Sequence, residues 1–303
     1  MWKPAAVRRI LRCADGSRRP TQRRGQALAC LAAVLAMMGG WLLASGSSLA
    51  ANDAAAQGKL TLTGASTIAP LATEIGKRFE ETHPGTRVDV QSGGSSRGVM
   101  DARRGLADIG MVSRDLKEDE KDLIAFPIAR DGVCIILNAK NPVSTLSLEQ
   151  IVAIYTGAIR SWSEVGVRDR PITVVNKAEG RSTLEIFLDY VRLKNTDVRA
   201  QIIIGDNEQG IKSVAGNPDS IGYVSVGAAE FAADNGTPLK LLPLGSTAPK
   251  TENVANGTYD ALRTLNLVTS KPPEGLQKVF IDYAQSSAID DLIKDQFFVP
   301  LIR

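Results

Sequence analysis

The sequence predicts an α/β fold with mostly parallel sheets, in which strands and helices alternate along most of the chain. Two observations predict it. Short β-branched segments recur between segments with apolar residues at helical spacing, and several strand ends run into a Gly/Ser/Thr-rich turn that opens a helix. With 303 residues, 44% hydrophobic and 23% charged, the chain is long enough to fold around a substantial core in one or two domains.

The first fifty residues differ from the rest. Seven Arg and one Lys face a single acid, and an apolar run over residues 27–43 follows, then small residues up to Ala50. This order is typical of a secretory signal peptide, and we expect cleavage after Ala50, with an uncleaved membrane anchor as the alternative. We therefore expect a periplasmic protein.

Removal of this segment changes the function classes that the charge allows. The remaining chain has 28 basic and 32 acidic residues, so its net charge is about −4, which argues against nucleic acid as a partner. Cys134 is the only cysteine left, so no internal disulfide is expected. The single histidine, His83, lies before a proline in a polar turn, which argues against a Ser-His-Asp triad and a histidine-rich zinc site.

The first strand–turn–helix junction combines features that suit a small oxyanion. Residues 59–63 alternate as a short strand, Gly64 allows a turn, and Ser66 or Thr67 is expected to cap the following helix. Unpaired backbone N–H groups, hydroxyls and the positive end of a helix dipole would then meet at one point. An ordinary capped helix explains the same pattern.

The second and third strands end in similar chemistry. The strand at residues 87–91 leads into a Gly/Ser turn with Ser95 and Ser96, which predicts either a backbone nest for an anion or a flexible linker. The strand at 107–112 ends at Ser113 and Arg114. The planar guanidinium of Arg114 suits a tetrahedral oxyanion, although a surface salt bridge is the alternative.

The remaining elements continue the alternation. A continuous apolar strand is predicted at 132–137, a helix capped by Ser147 at 148–155, and a strand at 172–175. The turn after that strand contains Lys177, Gly180, Arg181, Ser182 and Thr183 and opens the helix 184–191. The other predicted elements are a short helix at 212–215, strands at 221–226, 239–242 and 265–268, and helices at 274–284 and 288–296.

Several of these motifs together resemble the periplasmic phosphate-binding proteins of phosphate ABC importers. The motifs are Gly64-Ala65-Ser66-Thr67-Ile68-Ala69-Pro70, Gly93-Gly94-Ser95-Ser96-Arg97-Gly98, Ala107-Asp108-Ile109-Gly110-Met111-Val112-Ser113-Arg114 and Ile221-Gly222-Tyr223-Val224. The resemblance implies a type II periplasmic-binding fold, in which two α/β lobes are joined by two crossover strands near residues 137–141 and 265–268. It implies a signal peptide at 1–50, lobe I at 51–137 plus 265–303, and lobe II at 138–264.

The resemblance also implies the ligand and its partners. Inorganic phosphate would be bound between the lobes and delivered to the membrane permease of the ABC transporter, by a monomer that needs no cofactor or metal and is not an enzyme. The residues expected to bind phosphate are Ser66, Thr67, Ser95, Ser96, Ser113, Arg114, Gly180, Arg181, Ser182 and Thr183.

Two positions depart from the family pattern. The lobe II loop usually reads Gly-Ser-Gly-Thr with an upstream arginine, whereas this chain has Arg181 in the loop and Lys177 upstream. Better-known members have an aspartate in place of Ser113, and its carboxylate accepts the proton of hydrogen phosphate. Asp108, Asp131 and Glu179 remain alternative acceptors. Binding of a sulfate-like oxyanion, phosphate sensing without import, and an exported serine hydrolase or phosphatase are therefore alternative functions.

The export hypothesis predicts a mature protein that begins near Ala51 and lies outside the cytoplasmic membrane, because the first fifty residues have the order of a signal peptide. N-terminal sequencing of the protein from the extracytoplasmic fraction checks this. A soluble cytoplasmic pool that retains Met1 would contradict it.

Overall fold

The computed structural model describes residues 57–302, and the predicted signal peptide lies outside the described residues. The strands are β1 Gly58–Gly64, β2 Thr86–Ser92, β3 Ile109–Val112, β4 Ile124–Asn138, β5 Thr173–Lys177, β6 Ile202–Ile204, β7 Ser220–Ser225, β8 Leu239–Leu242, β9 Leu262–Thr269 and β10 Val299–Pro300. The α-helices are α1 Ala69–Thr82, α2 Ser95–Arg104, α3 Leu148–Thr156, α4 Ser182–Val191, α5 Asn207–Gly216, α6 Val226–Asp234, α7 Thr251–Ala255, α8 Gly275–Ala284 and α9 Asp290–Asp295. Short 3-10 helices lie at Glu118–Glu120, Trp162–Val165, Asn195–Asp197 and Ser287–Ile289.

The strands form a mixed sheet in the order β2-β1-β3-β9-β4-β7-β5-β6, with β8 and β10 also paired to β4. The pairs β1–β2, β1–β3, β5–β6 and β5–β7 are parallel, as expected for βαβ units. The pairs that involve β4 and the β3–β9 pair are antiparallel. The expectation of mostly parallel sheets is therefore wrong in the middle of the molecule, where β9 and β4 run against their neighbours.

The long strand β4 links the two ends of this sheet. Its first part, from Ile124 to Gly132, pairs with β9, and the part from Val133 to Leu137 pairs with β7. The two parts also contribute to different hydrophobic clusters. Ile128 and Ala129 pack with α1, β1, β3, β9 and α8, whereas residues 133–137 pack with α3, α4, β5 and β7.

Residues 57–302 thus contain two large hydrophobic cores that meet along β4. One core is formed mostly by residues 133–261. The other core combines residues that precede this segment with residues that follow it, because β9, α8 and α9 pack beside β1 and α1. The lobe boundaries at 137/138 and 264/265 stay predictions. The change of strand partner in β4, at Gly132 and Val133, lies a few residues before the crossover expected at 137–141.

The start of helix α1 differs from the sequence analysis. Helix α1 begins at Ala69 after Ile68, and no side chain caps it, so the expectation that Ser66 or Thr67 is its cap is wrong. Because Thr67 does not cap α1, its hydroxyl is left for contacts outside its own helix.

The cap predicted for α3 is confirmed, since Ser147 Oγ accepts from Gln150 N at 3.2 Å.

Helix α2 approaches the ends of β1 and β3 very closely at Gly98. A Cβ on Gly98 would lie 2.7 Å from the Met111 carbonyl oxygen and 2.9 Å from that of Thr63, which are backbone atoms that cannot rotate away. Because the residue is within a helix and its neighbours are backbone, the glycine sets the distance between α2 and the sheet.

We expect Gly98→Ala to lower the free energy of unfolding by about 2 kcal/mol, because the overpacking outweighs the better helix propensity of alanine. Gly216→Ala is the matched control, since Gly216 also lies in a helix and a Cβ there meets nothing within 4 Å. Urea unfolding of both variants measures the difference. Equal stability of the two variants would contradict this account of α2 packing.

Candidate functional site

Four helix starts meet at one place in the molecule. Thr67 lies in the turn before α1, Ser95 is the first residue of α2, Ser182 and Thr183 open α4, and Asn207 opens α5. All five side chains belong to buried residues. Each of these helices has ten or more residues, so four positive dipole ends and their unpaired backbone N–H groups face the same region.

Hydrogen bonds connect these helix starts directly. Ser182 Oγ donates to Ser95 Oγ, and Asn207 Nδ2 donates to Thr67 Oγ1 at 3.2 Å. Ser95 Oγ also accepts from the backbone N–H of Ser113 at 3.1 Å. The cluster therefore joins side chains from α1, α2, α4 and α5 with the end of β3.

The hydrogen-bond pattern leaves two of the hydroxyls as donors only. Both lone pairs of Thr67 Oγ1 are used, by Asn207 Nδ2 and by Arg263 Nη2 at 3.3 Å. Both lone pairs of Ser95 Oγ are used as well, by Ser113 N and Ser182 Oγ. The O–H groups of Thr67 and Ser95 must then find an acceptor that these neighbours do not provide, which is what an anion supplies.

A buried arginine, Arg263 on β9, lies at the centre of this cluster. Its Nη1 donates to Thr183 Oγ1 at 2.9 Å, and its Nη2 donates to Thr67 Oγ1. Its Nε and Nη2 also donate to Asp131 Oδ2 at 2.9 and 2.6 Å, and both side chains are only 1% exposed. Within the described residues, one N–H of Nη1 has no protein partner, so it is available to an anion.

Asp131 holds this guanidinium and accepts hydrogen bonds on both of its carboxylate oxygens. Its Oδ2 also accepts from Ser225 Oγ at 2.7 Å, and its Oδ1 accepts from the Gly227 backbone N–H at 3.2 Å. Asp131 was one of three candidate acceptors for the phosphate proton. The other two are exposed residues: Asp108 Oδ2 accepts from Thr61 N on β1, and Glu179 Oε1 accepts from Asn195 Nδ2.

Lys177, at the end of β5, adds a second buried cation. Lys177 is 3% exposed, and its Nζ donates to Asn207 Oδ1 at 3.0 Å. Burial, together with the positive charges of Arg263 and Arg181, lowers the pKa of Lys177 to about 7, against an opposing effect of Asp206.

Close backbone contact joins the turns before α2 and α4. Ser96 N donates to the Gly180 carbonyl at 3.2 Å. Gly94 has a φ of +96°, and a Cβ on it would lie 2.5 Å from that same carbonyl oxygen. Ser96 and Gly180 therefore face each other where these two turns meet.

Two predicted ligands have other surroundings. Ser66 is half-buried and lines a cavity of about 860 Å³ that also reaches Thr67 and Asn207. Arg114 is buried and directed at carboxylates: Nη1 and Nη2 donate to Glu120 at 2.6 and 2.9 Å, and Nε donates to Glu185 on α4 at 2.6 Å. The predicted salt bridge of Arg114 is thus present, but it is buried rather than on the surface.

Arg181 lies beside the two glycine turns. A Cβ on Gly94 would be 2.8 Å from Arg181 Cδ, and one on Gly205 would be 3.4 Å from Arg181 Nη2. Glu185, four residues further along α4, is not a partner of Arg181, because it pairs with Arg114 and Lys117. In the described part of the chain, no carboxylate forms an ion pair with the half-buried Arg181.

Sequence reasoning missed Arg263 and Asn207. The signal for Arg263 was present, since it is a charged residue inside the apolar segment Leu262–Thr269. Asn207 was hidden because α5 begins five residues before the predicted helix, with Asp206 as its cap. Lys177 was noted only as an upstream cation.

Between residues 57 and 302, no group of three or more His, Cys, Asp or Glu is placed to hold a metal ion. His83 stacks on Phe79 with ring centroids 4.0 Å apart, far along α1 from the serines of the cluster. Burial raises the pKa of the Cys134 thiol. No helix within residues 57–302 is both long and apolar enough to cross a bilayer.

Comparisons with known proteins identify the family of the chain. Residues 49–288 match the family described as PBP superfamily domain. The phosphate-binding protein PstS of Bacillus subtilis is 30% identical over 263 residues, which is 85% of each chain.

Two solved structures are also similar. One is a substrate-binding protein of a phosphate ABC transporter from Clostridium perfringens, determined with bound phosphate. It is 31% identical to this chain with a TM-score of 0.73, and the match covers 81% of this chain and all of that one. The other is an ABC-type phosphate transport receptor from Vibrio cholerae, with 29% identity, a TM-score of 0.66, and coverage of 80% of this chain and all of that one. The predicted periplasmic-binding fold is confirmed, and the chain belongs to the family of PstS phosphate-binding proteins within the PBP superfamily.

Proposed function

We propose that this chain binds inorganic phosphate in the cluster around Arg263 and delivers it, outside the cytoplasmic membrane, to the permease of an ABC importer. The observation that carries the proposal is the pair of buried hydroxyls, Thr67 and Ser95, whose lone pairs are all used and whose O–H groups can only donate. The names of the similar proteins support the same ligand and the same kind of transporter.

The proposed ligand set differs in part from the set inferred from sequence. Thr67, Ser95, Ser182 and Thr183 are retained, and Arg263 and Lys177 are added as the buried cations. Ser96, Ser113 and Gly180 support the site through backbone groups that form hydrogen bonds within the protein: Ser96 N donates to the Gly180 carbonyl, and Ser113 N donates to Ser95 Oγ. A direct role for Ser66 and Arg114 stays a prediction that their contacts do not favour. Arg114 instead connects β3 to α4 through Glu185.

Binding is proposed to close the two predicted lobes around the anion. Ser95 and Thr67 belong to the first lobe, and Ser182, Thr183 and Asn207 belong to the second. Because the contacts between the two sets run through a few hydroxyls, an anion that accepts from both sets gains bonds only when they lie together. Closure therefore follows from the extra hydrogen bonds of the closed state.

Binding without catalysis is the function that the chemistry favours. A serine nucleophile needs a base within hydrogen-bond reach, and the serines Ser95 and Ser182 bond to each other instead. The similar proteins are named as binding proteins and receptors. We further propose a periplasmic monomer that binds no nucleic acid, in line with the net charge of about −4 after residue 50.

The proposal predicts that Thr67→Ala, Ser95→Ala and Thr183→Ala each weaken phosphate binding by roughly tenfold to a hundredfold, because a neutral donor to a buried anion is worth about 1–3 kcal/mol. Calorimetric titration of the purified mature protein with phosphate measures this. Ser144→Ala, at an exposed serine, is the control. If the wild-type protein does not bind phosphate, or if all four variants bind it alike, the proposed site is wrong.

Arg181 is proposed to assist the buried cations from the edge of the site. Arg181→Ala is expected to weaken phosphate binding more than about tenfold, because the half-buried guanidinium lies at the start of α4 without a competing carboxylate. Arg181→Lys should recover only part of the affinity, since the planar fork is lost.

The matched control for Arg181 is Arg97→Ala, which removes the same charge from an exposed side chain that pairs with Asp101 at 3.0 Å. The melting temperature of the phosphate-free protein should not change appreciably in Arg181→Ala. Equal affinities of Arg181→Ala and Arg97→Ala would return the contribution of this loop to Ser182, Thr183 and backbone N–H groups.

A further inference from the structure

We propose that the amine of Lys177 accepts the hydrogen bond of the P–OH group of hydrogen phosphate, and that this makes the choice between phosphate and sulfate depend on pH. The inference rests on the proposed function and adds a specificity-determining residue to it.

The need for such a residue follows from the chemistry of the anion. Near neutral pH the phosphate dianion carries one hydroxyl group, whereas the sulfate dianion carries none. A buried P–OH group must donate to an acceptor, since an unsatisfied buried donor costs about 1–3 kcal/mol. A site that selects phosphate must therefore contain an acceptor that is useless or repulsive to sulfate.

Each carboxylate around the site already accepts at least one hydrogen bond from the protein. Asp131 accepts from Arg263, Ser225 and Gly227, which leaves it one lone pair, on Oδ1. Asp206 caps α5 by accepting from Gln209 N at 2.8 Å. The remaining carboxylates near α4 and β5 are also paired, Glu185 with Arg114 and Glu179 with Asn195.

The hydroxyls of the site are less suitable acceptors. Thr67 and Ser95 can only donate, as their lone pairs are already used. Ser182 keeps both lone pairs and Thr183 keeps one, but they lie at the N-terminus of α4, where the helix dipole favours a bare anionic oxygen over a P–OH group. A basic nitrogen in the same cluster is a stronger acceptor than either hydroxyl.

Lys177 provides that nitrogen. Its Nζ is buried and has Asn207 Oδ1 as its one hydrogen-bond partner among the described residues. Through Asn207 it is connected to Thr67, which is one of the two obligate donors. In the neutral form Nζ keeps a lone pair after donating to Asn207, so it can accept from a P–OH group.

The charged and titratable groups around Lys177 support a neutral amine. Arg263 and Arg181 disfavour its positive charge, whereas Asp206 favours it. The Tyr223 hydroxyl, on the adjacent strand β7, accepts from the Lys177 backbone N–H, and burial raises the pKa of that hydroxyl, so it contributes no charge. Burial is the largest influence and lowers the pKa of the amine to about 7.

The two anions then respond differently to pH. Sulfate binds to the ammonium form, because a dianion with no proton of its own gains a positive charge there and meets no lone pair. Above about pH 7, sulfate binding must take up a proton, so sulfate affinity falls by about tenfold per pH unit, whereas the phosphate dianion brings its own proton and keeps its affinity. Below about pH 7 the ammonium is already present and sulfate affinity does not vary, whereas phosphate binding must release the proton of Nζ, so the affinity for the phosphate dianion falls by about tenfold per pH unit.

The test is to measure the affinities for phosphate dianion and for sulfate from about pH 6 to about pH 9 by calorimetry, correcting phosphate for its dianion fraction. The phosphate-to-sulfate affinity ratio of the wild-type protein is expected to rise about tenfold per pH unit over the whole range, because phosphate affinity falls below about pH 7 and sulfate affinity falls above it. Lys177→Arg, which stays charged throughout, should give a ratio that does not change with pH.

Lys240→Arg is the control. Lys240 is also shielded in part from solvent, but its Nζ donates to the Asn141 carbonyl and not to a residue of the cluster. It should keep the wild-type profile. A wild-type ratio that is level over the whole range overturns the inference and assigns the P–OH contact to Ser182 or Thr183, while phosphate binding itself survives. If neither anion binds at any pH, the proposed function fails as well. Should Lys177→Arg not fold, the wild-type profile alone decides.

Discussion

The ion pair between Arg263 and Asp131 is the constraint on which the site depends. A fully buried pair gains little net stability, because desolvation of both charges offsets most of their attraction. Its value lies in orientation. Asp131 accepts from two nitrogens of the guanidinium and is itself held by Ser225 and Gly227, so the remaining nitrogen is directed at Thr183. An anion bound there meets a positive charge whose position was established during folding, and it does not need to reorganise the protein.

The same constraint explains why the two cores meet along β4 and β9. Asp131 lies on β4 at the point where that strand exchanges β9 for β7 as its partner, and Arg263 faces it from β9. The pair is therefore built from the strands common to both halves of the molecule, whereas the hydroxyls come from helices that belong to one half or the other. A cation on the shared strands can keep its position while the helix starts around it change theirs.

The helix starts were predictable from sequence because they depend on local chemistry. A strand followed by Gly, Ser and Thr identified the turns before α1, α2 and α4, and with them Thr67, Ser95, Ser182 and Thr183. Arg263 could not be placed in the same way, since its role depends on the register between β9 and β4, across more than a hundred residues of sequence. The mixed sheet was missed for the same reason. Asn207 was missed because the start of α5 lacks the glycine and serine pattern that marked the others.

The contact between the turns at Gly94 and Gly180 has a consequence for selectivity. Its hydrogen bond is made by backbone atoms, with Ser96 N donating to the Gly180 carbonyl, and Gly94 has no Cβ that would block that carbonyl. Such a contact is the same for every anion that lets the turns meet, so it responds to the size of the guest and is indifferent to its protons. Recognition is thereby divided between two kinds of group. The backbone contact between the turns depends on the size of the anion, and the buried side chains distinguish anions of the same size by their protonation.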